Sequence, residues 1–349
     1  MIYNRDIDII IPAYNVPENV LFRCLSSIAC QSIIDDIEIT IIDDASESEY
    51  IEIYKNVIDK FKNQMKINLL RYETNGGPGV ARQYGIDHTS NGYMMFIDAD
   101  DTLNGAFACA ILRNAIESDN GRYVMASGAF DEIHDSDITD IKGPVFVPHE
   151  QDLIWMFGKI YKRSFIDKYS IRFHETSRAN EDNGFNTIIR LLSNEEEQIS
   201  FVSAHVYYWH ENLNSITRAN DYQYCYGGSN RDSFYGYVEN MIHAINKSKK
   251  ECATHSHIMM WTLDCMLNLY EYYIEAYARA RDHADANFES CKRFYKEAYK
   301  QFEDQITEEM FITQYNEMMR GAYMGNKLVG IIPHMTINQF LEEIKKLDM

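Results

Sequence analysis

Three carboxylates follow a run of large apolar residues near the end of the first third of the chain. The run at 93–97 is typical of a buried strand, and Asp98, Asp100 and Asp101 come directly after it. Because side chains alternate along an extended segment, Asp98 and Asp100 can point to the same side and hold one hard cation, Mg²⁺ or Mn²⁺. The simpler alternative is that Asp101 and Thr102 cap the following helix while the other acids are solvated.

The elements that precede this turn alternate between strand and helix. Apolar runs predict strands at 7–11, 37–42, 66–72 and 93–97, and residues at helical spacing predict helices between them. This alternation predicts an α/β fold with a mostly parallel, doubly wound sheet. In such sheets ligands bind outside the carboxyl ends of the strands.

All four predicted carboxyl ends carry polar or conformationally permissive residues. They are Tyr14 with Asn15, Asp43 with Asp44, the glycine-rich loop at 75–79, and Asp98 with Asp100. We therefore expect four loops to meet at one edge of the sheet and to form a ligand site there.

The absence of two nucleotide-binding motifs restricts the ways in which this edge could bind a nucleotide. The first strand is not followed by G-x-G-x-x-G, and no G-x-x-x-x-G-K-[ST] is present, so neither the dinucleotide fingerprint nor the P-loop is found. A diphosphate would instead be held through a metal on Asp98 and Asp100. Tyr14 could stack on a base and Asp44 could accept a hydrogen bond from its ring N–H. The alternatives are that Tyr14 packs in the core and that Asp44 caps a helix together with Ser46.

Composition restricts partners and compartment. The chain of 349 residues has 53 acids, 33 Lys and Arg, and a formal charge of −20, which disfavours nucleic acid and anionic membrane surfaces. Seven cysteines without a C-x-x-C pair are typical of reduced core thiols. Neither a signal sequence nor a run of about 18 apolar residues is evident. A cytoplasmic protein without a membrane span is the expectation.

The predicted structure changes from mixed strands and helices to helices alone near residue 221. Between residues 121 and 220, strands are predicted at 121–130 and 198–208, a loop or hairpin at 131–148, an apolar segment running into a helix at 155–166, and a helix opened by Glu181 and Asp182. After it come helices rich in Tyr, Met and Lys. One predicted buried face has helical spacing. Its residues are Met259, Leu263, Met266, Leu267, Tyr270 and Ile274.

Seven short motifs, taken in order, point to one family. They are Ile-Ile-Ile-Pro-Ala-Tyr-Asn at 9–15, Ile-Ile-Asp-Asp-Ala-Ser at 41–46, Asn-Gly-Gly-Pro-Gly-Val-Ala-Arg at 75–82, Phe-Ile-Asp-Ala-Asp-Asp at 96–101, Lys-Ile-Tyr-Lys-Arg at 159–163, Glu181-Asp182, and Asn-Ser-Ile-Thr at 214–217. With these, residues 7 to about 218 resemble the family-2 glycosyltransferases of the GT-A fold.

The resemblance implies an inverting transferase that uses a nucleotide-diphosphate sugar, most often UDP-linked, and a divalent cation, Mn²⁺ or Mg²⁺. It implies a GT-A domain at 1–220, with a nucleotide half at about 1–102 and an acceptor half at about 103–220. By the same resemblance Tyr14 and Asp44 hold the base, Pro12 belongs to the same donor-binding set, and Arg82 reaches the nucleotide or the donor sugar.

Three further acids receive roles from the resemblance. Asp98 contacts the ribose or the metal, Asp100 ligates the metal, and Asp182 is the general base. These roles are chemically reasonable, because an acceptor hydroxyl needs a carboxylate to take its proton. The cation neutralises the charge that accumulates on the departing diphosphate.

The diphosphate contact is the least settled assignment. His210 and Arg218 are its two candidates. The chain departs from the family pattern at Gln83, where Asn is usual, and at 209–210, where Trp-His replaces a common Tyr-Arg pair.

The acceptor is left open between a glycan, a lipid-linked molecule and a protein. Residues 221–349, which the resemblance does not cover, are expected to select the acceptor or to form a homo-oligomer. Two other classes compete. One is a haloacid-dehalogenase-like phosphatase, since residues 98–102 also match D-x-D-x-T with Asp98 as nucleophile, although three strand-helix units precede it. The other is a GT-A scaffold without catalysis.

Overall fold

The computed structural model describes residues 4, 6–134, 144–175, 179–212, 231–251, 255–279, 281–324 and 328–346. The chain divides into two compact units. The first consists of Met1–Arg178 and Ser193–Leu213, and the second of Ala179–Leu192 and Asn214–Met349. The helix at 181–192 thus packs with the second unit, although it precedes the expected domain boundary at 220. That boundary and the roles of its two sides stay predictions.

The first unit begins with the predicted strand-helix alternation. Its elements are β1 (Ile7–Ala13), α1 (Glu18–Ala29), β2 (Ile37–Asp43), α2 (Ser48–Phe61), β3 (Lys66–Arg71), α3 (Pro78–His88) and β4 (Tyr93–Phe96). The four strands are parallel and lie in the order β3-β2-β1-β4. Their carboxyl ends therefore lie at one edge, as predicted.

The local sequence explains why these strands are central. Ile7, Ile9, Ile10 and Ile11 are all fully buried, which is expected for a parallel strand covered by helices on both faces. Helix α3 packs very closely on β1, because a Cβ at Gly85 would collide with the side chain of Ile10. Glycine is therefore required at this position of the helix.

The sheet continues beyond β4 with antiparallel and parallel strands. The elements are β5 (Thr102–Leu103), α4 (Ala108–Gly121), β6 (Tyr123–His134), β7 (Val145–His149), β8 (Lys159–Lys162), α5 (Arg163–Lys168) and β9 (Gln198–His210). Strand β8 is antiparallel to β4 and β6, and β9 is parallel to β6. The start of β8 and the ends of β6 and β9 hence lie at the same edge as the carboxyl ends of β1–β4.

The predicted elements of this part need small changes. Strand β6 continues to His134 and pairs antiparallel with β7, so of the two alternatives for 131–148, a loop or a hairpin, the hairpin is the one observed. Residues 135–143 lie outside the described residues. The apolar segment at 155–166 becomes β8 and α5, as the run into a helix predicted.

The second unit is helical in its described residues. Its helices are α6 (Glu181–Leu192), α7 (Arg231–Glu251), α8 (Ser256–Arg279), α9 (Arg281–Phe294), α10 (Glu308–Met324) and α11 (Ile337–Lys345), with a π-helical turn at Tyr295–Tyr299 and a 3₁₀ turn at Lys300–Gln305. The predicted buried face of α8 is confirmed, since all six of its residues are in the core. Among the helices that the structure describes, none combines the length and apolar character that a bilayer crossing needs.

Candidate active site

Asp101 connects the acidic turn to β9 through its buried carboxylate. It is 1% exposed, and its carboxylate accepts hydrogen bonds from the Tyr207 hydroxyl at 2.7 Å and from the His210 backbone N–H at 2.8 Å. Burial and the negative charges of Asp100 and Asp98 raise the pKa of Asp101. Helix α4 has no side-chain cap. The alternative that Asp101 caps this helix is therefore wrong.

The other two acids of the turn are half-buried and individually held. Asp98 Oδ1 accepts a hydrogen bond from Arg82 Nη2 at 2.6 Å, and the Asp98 side chain remains 30% exposed. Asp100 Oδ2 accepts one from Asn212 Nδ2 at 2.8 Å, and its carbonyl accepts one from Arg23 at 2.5 Å. Both carboxylates thus have fixed orientations beside one another.

The two carboxylates are candidate ligands for a divalent cation. Burial and the charge of Asp98 raise the pKa of Asp100, so the two acids repel each other when both are ionised. A cation between them would remove this cost. Within the described residues no group of three or more His, Cys, Asp or Glu has metal-binding geometry. Mg²⁺ commonly uses only one or two carboxylates and takes its other oxygens from water and substrate phosphates.

Asp44 organises the glycine-rich loop between β3 and α3. Its Oδ1 accepts hydrogen bonds from the Tyr72 hydroxyl at 2.6 Å and from the Gly76 N–H at 2.7 Å, while Oδ2 accepts one from the Gly77 N–H at 2.8 Å. Asp44 does not cap α2, since that helix has no side-chain cap and the Ser46 N–H donates to Asp43. A carboxylate offers about four acceptor positions, so the three present bonds leave one, on a residue that is 3% exposed.

Tyr14 lies at the carboxyl end of β1 and is 51% exposed. Its side chain is therefore not part of the core, and its ring can be reached by a planar ligand. The chain turns immediately after it, because Asn15 has a φ of 50° and accepts a hydrogen bond from the Glu47 N–H at 2.9 Å. Pro12 is paired with Ile42 inside the parallel sheet.

His210 and Gln83 make contacts within the protein. The His210 Nε2 atom is 2.9 Å from the Thr102 hydroxyl. Gln83 donates to Asp87 Oδ1 at 3.0 Å and accepts from the Phe173 N–H at 2.9 Å, so it links α3 to the chain near residue 173. The diphosphate role of His210 stays a prediction. Arg218 and the motif at 214–217 lie outside the described residues.

Asp182 lies in the first turn of α6, in the second unit. Its Oδ1 accepts a hydrogen bond from the Asn183 N–H at 2.7 Å, and the neighbouring Glu181 is buried. Two acids in a first turn also suit the helix dipole. Its assignment as the general base stays a prediction.

Four residues of the first unit were not singled out by the sequence. Tyr207, Asn212, Arg23 and Tyr72 each bond a predicted site carboxylate or its backbone, Tyr207 by accepting from the Asp98 N–H at 3.2 Å. Tyr207 lies in an apolar strand and is typical of a core residue when judged by its neighbours alone. Only the pairing of Leu103 with Tyr207 between β5 and β9 brings it to the acidic turn.

The fold and its acidic edge define a class of proteins. A parallel half-sheet that continues into a mixed sheet, with the acidic turn between the two parts, is the GT-A architecture. Residues 8–175 match the model of glycosyl transferase family 2. This matched segment is a family-2 glycosyltransferase domain.

Individual proteins support the same fold. The chain is 26% identical over 262 residues to a poly(ribitol-phosphate) β-glucosyltransferase of Bacillus spizizenii, covering 70% of this chain and 37% of the relative. It is 26% identical over 226 residues to the uncharacterized glycosyltransferase EpsJ of Bacillus subtilis, covering 60% of this chain and 62% of the relative. The crystal structure of S. aureus TarS 1–349 with UDP-GlcNAc superposes with a TM-score of 0.58 at 18% identity, covering 92% of each chain.

The chain spans between 32% and 62% of the length of the first three curated relatives.

Proposed function

We propose that this protein transfers a sugar, with inversion, from a nucleoside diphosphate sugar to an acceptor hydroxyl. The observation that carries the proposal is the carboxyl edge of the sheet. There Asp44 fixes the glycine-rich loop, and Arg82 fixes Asp98 beside Asp100. This edge offers an exposed aromatic ring and two adjacent carboxylates. These are suitable partners for a base and for a divalent cation that in turn binds a diphosphate.

Each side chain has a defined part in the proposed reaction. Tyr14 stacks on the base, Asp44 accepts from it, and Arg82 keeps Asp98 in place. Asp98 and Asp100 would hold Mn²⁺ or Mg²⁺, which supplies charge neutralisation for a departing diphosphate when bound. Asp182 takes the proton from the acceptor hydroxyl as the new bond forms. UDP is the proposed nucleotide, in keeping with the UDP-GlcNAc complex of TarS.

Calorimetry with nucleoside diphosphates tests the donor part. We expect UDP to bind in the presence of Mn²⁺ and to bind at least about tenfold more weakly after chelation, because metal-bridged phosphate contacts are lost. Asp100→Asn should reproduce the effect of chelation. Asp59→Asn, an exposed acid paired with Lys62 on α2, is the matched control and should bind like the wild type. UDP binding that is insensitive to both metal and Asp100→Asn would contradict the metal assignment.

Separate measurements of donor binding and turnover test Asp182. Asp182→Asn should keep UDP binding and lose at least about a hundredfold in transfer or donor hydrolysis, the range for loss of a general base. A scaffold without catalysis predicts no difference between the two proteins. A phosphatase predicts turnover of a chromogenic phosphate ester that Asp98→Asn abolishes, and this result would refute the transferase.

The acceptor and the helical unit complete the proposal. The names of two relatives make a polyol-phosphate polymer one acceptor to consider, beside neutral glycans, lipid-linked molecules and proteins. We assign acceptor selection or homo-oligomer formation to residues 221–349. Sedimentation of the full chain, together with acceptor profiling of variants on the exposed surface of α10, distinguishes these two roles.

A further inference from the structure

Beside the acidic turn, the first unit carries a face built from aromatic side chains. We define this aromatic face by six residues. They are Phe130, His134, Trp155, Phe157, Tyr207 and Trp209. Trp155 and Phe157 are stacked, with ring centroids 6.0 Å apart and an interplanar angle of 17°. Phe157 is in turn stacked on Tyr207, at 5.2 Å and 17°. Three nearly parallel rings thus lead from the half-buried Trp155 to the buried Tyr207, whose hydroxyl bonds Asp101. Phe130 and Tyr207 are core residues, 3% and 1% exposed, so the accessible part of the face is formed by the half-buried Trp155, Phe157, Trp209 and His134.

The loop that presents Trp155 is rigidly built. Asp152 Oδ1 accepts hydrogen bonds from the Ile154 N–H at 2.5 Å and from the Trp155 N–H at 2.8 Å. The other carboxylate oxygen of Asp152 lies 3.3 Å from the ammonium of the fully buried Lys159. The backbone carbonyl of Asp152 accepts a hydrogen bond from the Ser127 hydroxyl at 3.1 Å. A fixed loop is what a stacking surface requires, since ordering it on binding would cost entropy.

The strands place this face next to the proposed donor site. Phe130 and Tyr207 are paired between β6 and β9, and the next residues on the same side of the two strands, Glu132 and Trp209, are also paired. Trp209 contacts His134 edge-on at 6.0 Å. The face therefore starts at the acidic turn and continues outward along the carboxyl edge of the sheet.

The segments around the aromatic face are acidic in composition. The described segments at 128–134, 144–157 and 204–212 contain no Lys or Arg. They contain five acids, which are Asp131, Glu132, Glu150, Asp152 and Glu211. Asp152 is paired with the buried Lys159, Asp131 with His205, and Glu132 with His134 and His149, so the excess of acids is smaller than the count. Glu132 and Glu211 flank His134 at 2.9 and 3.1 Å, so both carboxylates lie at the aromatic face itself. Such a surface repels a polyanion and offers acceptors to hydroxyl groups.

From this combination we infer that the acceptor is a neutral, pyranose-containing glycan that lies along the aromatic face, and not a phosphodiester-linked polyanion. The inference rests on the proposed function, whose acceptor class it names. The apolar C–H faces of pyranose rings pack on aromatic rings, and their hydroxyl groups donate to carboxylates such as Glu132 and Glu211. An open-chain polyol phosphate has no ring face to stack and would bring negative charge to an acidic surface.

A glycan-binding measurement on the full chain tests this inference. The probes are immobilised neutral trisaccharides of glucose, galactose and N-acetylglucosamine, and an immobilised ribitol-phosphate hexamer, all with UDP and Mn²⁺ present. We expect at least one neutral trisaccharide to bind with little dependence on salt, and the hexamer not to bind. Trp155→Ala and Trp209→Ala should each weaken trisaccharide binding about tenfold, as truncation of a buried aromatic anchor commonly does.

Two further variants make the test specific. Phe201→Ala removes an aromatic side chain that is 50% exposed and lies six residues before Tyr207 on β9, and it should bind like the wild type. The double variant Glu132→Lys with Glu211→Lys should gain binding to the hexamer. Calorimetric UDP binding, measured for every variant, shows whether each protein is folded and whether the donor site is intact.

Three results would overturn the inference. They are a wild type that prefers the hexamer, a wild type that binds no neutral trisaccharide, and trisaccharide binding that both tryptophan variants retain. Each counts against the inference alone when UDP still binds. A wild type that does not bind UDP would instead refute the proposed function.

Discussion

Arg82 on α3 donates a charged hydrogen bond to Asp98 at the end of β4, with 2.6 Å between Nη2 and Oδ1. The arginine side chain is 5% exposed and the carboxylate is 30% exposed. One partner is therefore a fixed internal group and the other faces the candidate ligand site. This relationship makes Arg82 a positioning residue for Asp98 in the structure, whatever further contact it makes to a donor.

Arg82→Lys should reduce sugar transfer by about 10- to 100-fold, because a lysine cannot reproduce the guanidinium geometry at this buried position. The measurement is the initial rate of donor consumption at saturating Mn²⁺. Arg113→Lys is the matched control. Arg113 is 13% exposed and pairs with Asp36 at 2.5 Å, so the same substitution is made in a similar environment. Equal rates for the two variants would contradict the positioning role.

Asp44→Asn should weaken UDP binding about tenfold and lower the free energy of unfolding by about 1–3 kcal/mol. The amide has only one acceptor oxygen, so its NH₂ group must face either the Gly77 N–H or the pair formed by the Gly76 N–H and the Tyr72 hydroxyl. Calorimetry measures the affinity, and urea unfolding measures the stability.

Tyr72→Phe separates the two effects of Asp44. It removes one hydrogen bond to Asp44 and keeps the ring that packs against Tyr84 at 5.2 Å. We expect a smaller loss of stability, about 1 kcal/mol, and nearly unchanged UDP binding. If Tyr72→Phe weakens UDP binding as much as Asp44→Asn does, the carboxylate is not the group that matters.

Arg163→Met should lower the free energy of unfolding by about 3–5 kcal/mol, because it leaves Asp8 buried without its cation. The two side chains are 5% and 2% exposed and 2.9 Å apart, and Arg163 also donates to the carbonyls of Asn91 and Ile86. Denaturant unfolding of the full chain provides the measurement, with the transition of the first unit followed by a probe near β1.

A surface pair on the same unit controls for the loss of an arginine. Arg172 pairs with Asp87 at 2.7 Å, but the two side chains are 48% and 39% exposed. Arg172→Met should therefore cost at most about 1 kcal/mol. A loss for Arg163→Met that is no larger than this would show that the buried pair contributes little beyond its packing.

The sequence predicted the β1–β4 half of the site because its signals are local. Each strand is a continuous apolar run that ends in polar residues, and parallel strands put these ends at one edge. The contacts of Asp101 could not be predicted in this way. An acid after a strand is ordinarily exposed, and its burial depends on Tyr207 and His210, which are 106 and 109 positions away. Hydrophobic periodicity identifies a buried face but not the distant strand that covers it.

The packing of α6 illustrates the same limit. Phe185 and Ile188 have the spacing of one apolar helix face in the sequence, and both are buried. Nothing in that pattern distinguishes packing on the sheet from packing on the later helices. Gly184 shows the outcome, because a Cβ there would overlap the side chain of Asn240 on α7. The close approach of α6 and α7 thus depends on Gly184 and Asn240, which are 56 positions apart in the sequence.

Cys30 should be the first of the described cysteines to react with iodoacetamide in the native protein. It is exposed, whereas Cys24, Cys109, Cys265 and Cys291 are buried. Burial raises the pKa of Cys109 and of Cys265 to about 12, so their reactive thiolate forms are scarce at neutral pH as well as inaccessible. Peptide mass spectrometry after timed alkylation measures each site, and the same reaction in denaturant should label all four buried cysteines at similar rates. Rapid native labelling of Cys24 or Cys109 would contradict the packing of α1 and α4 against the sheet.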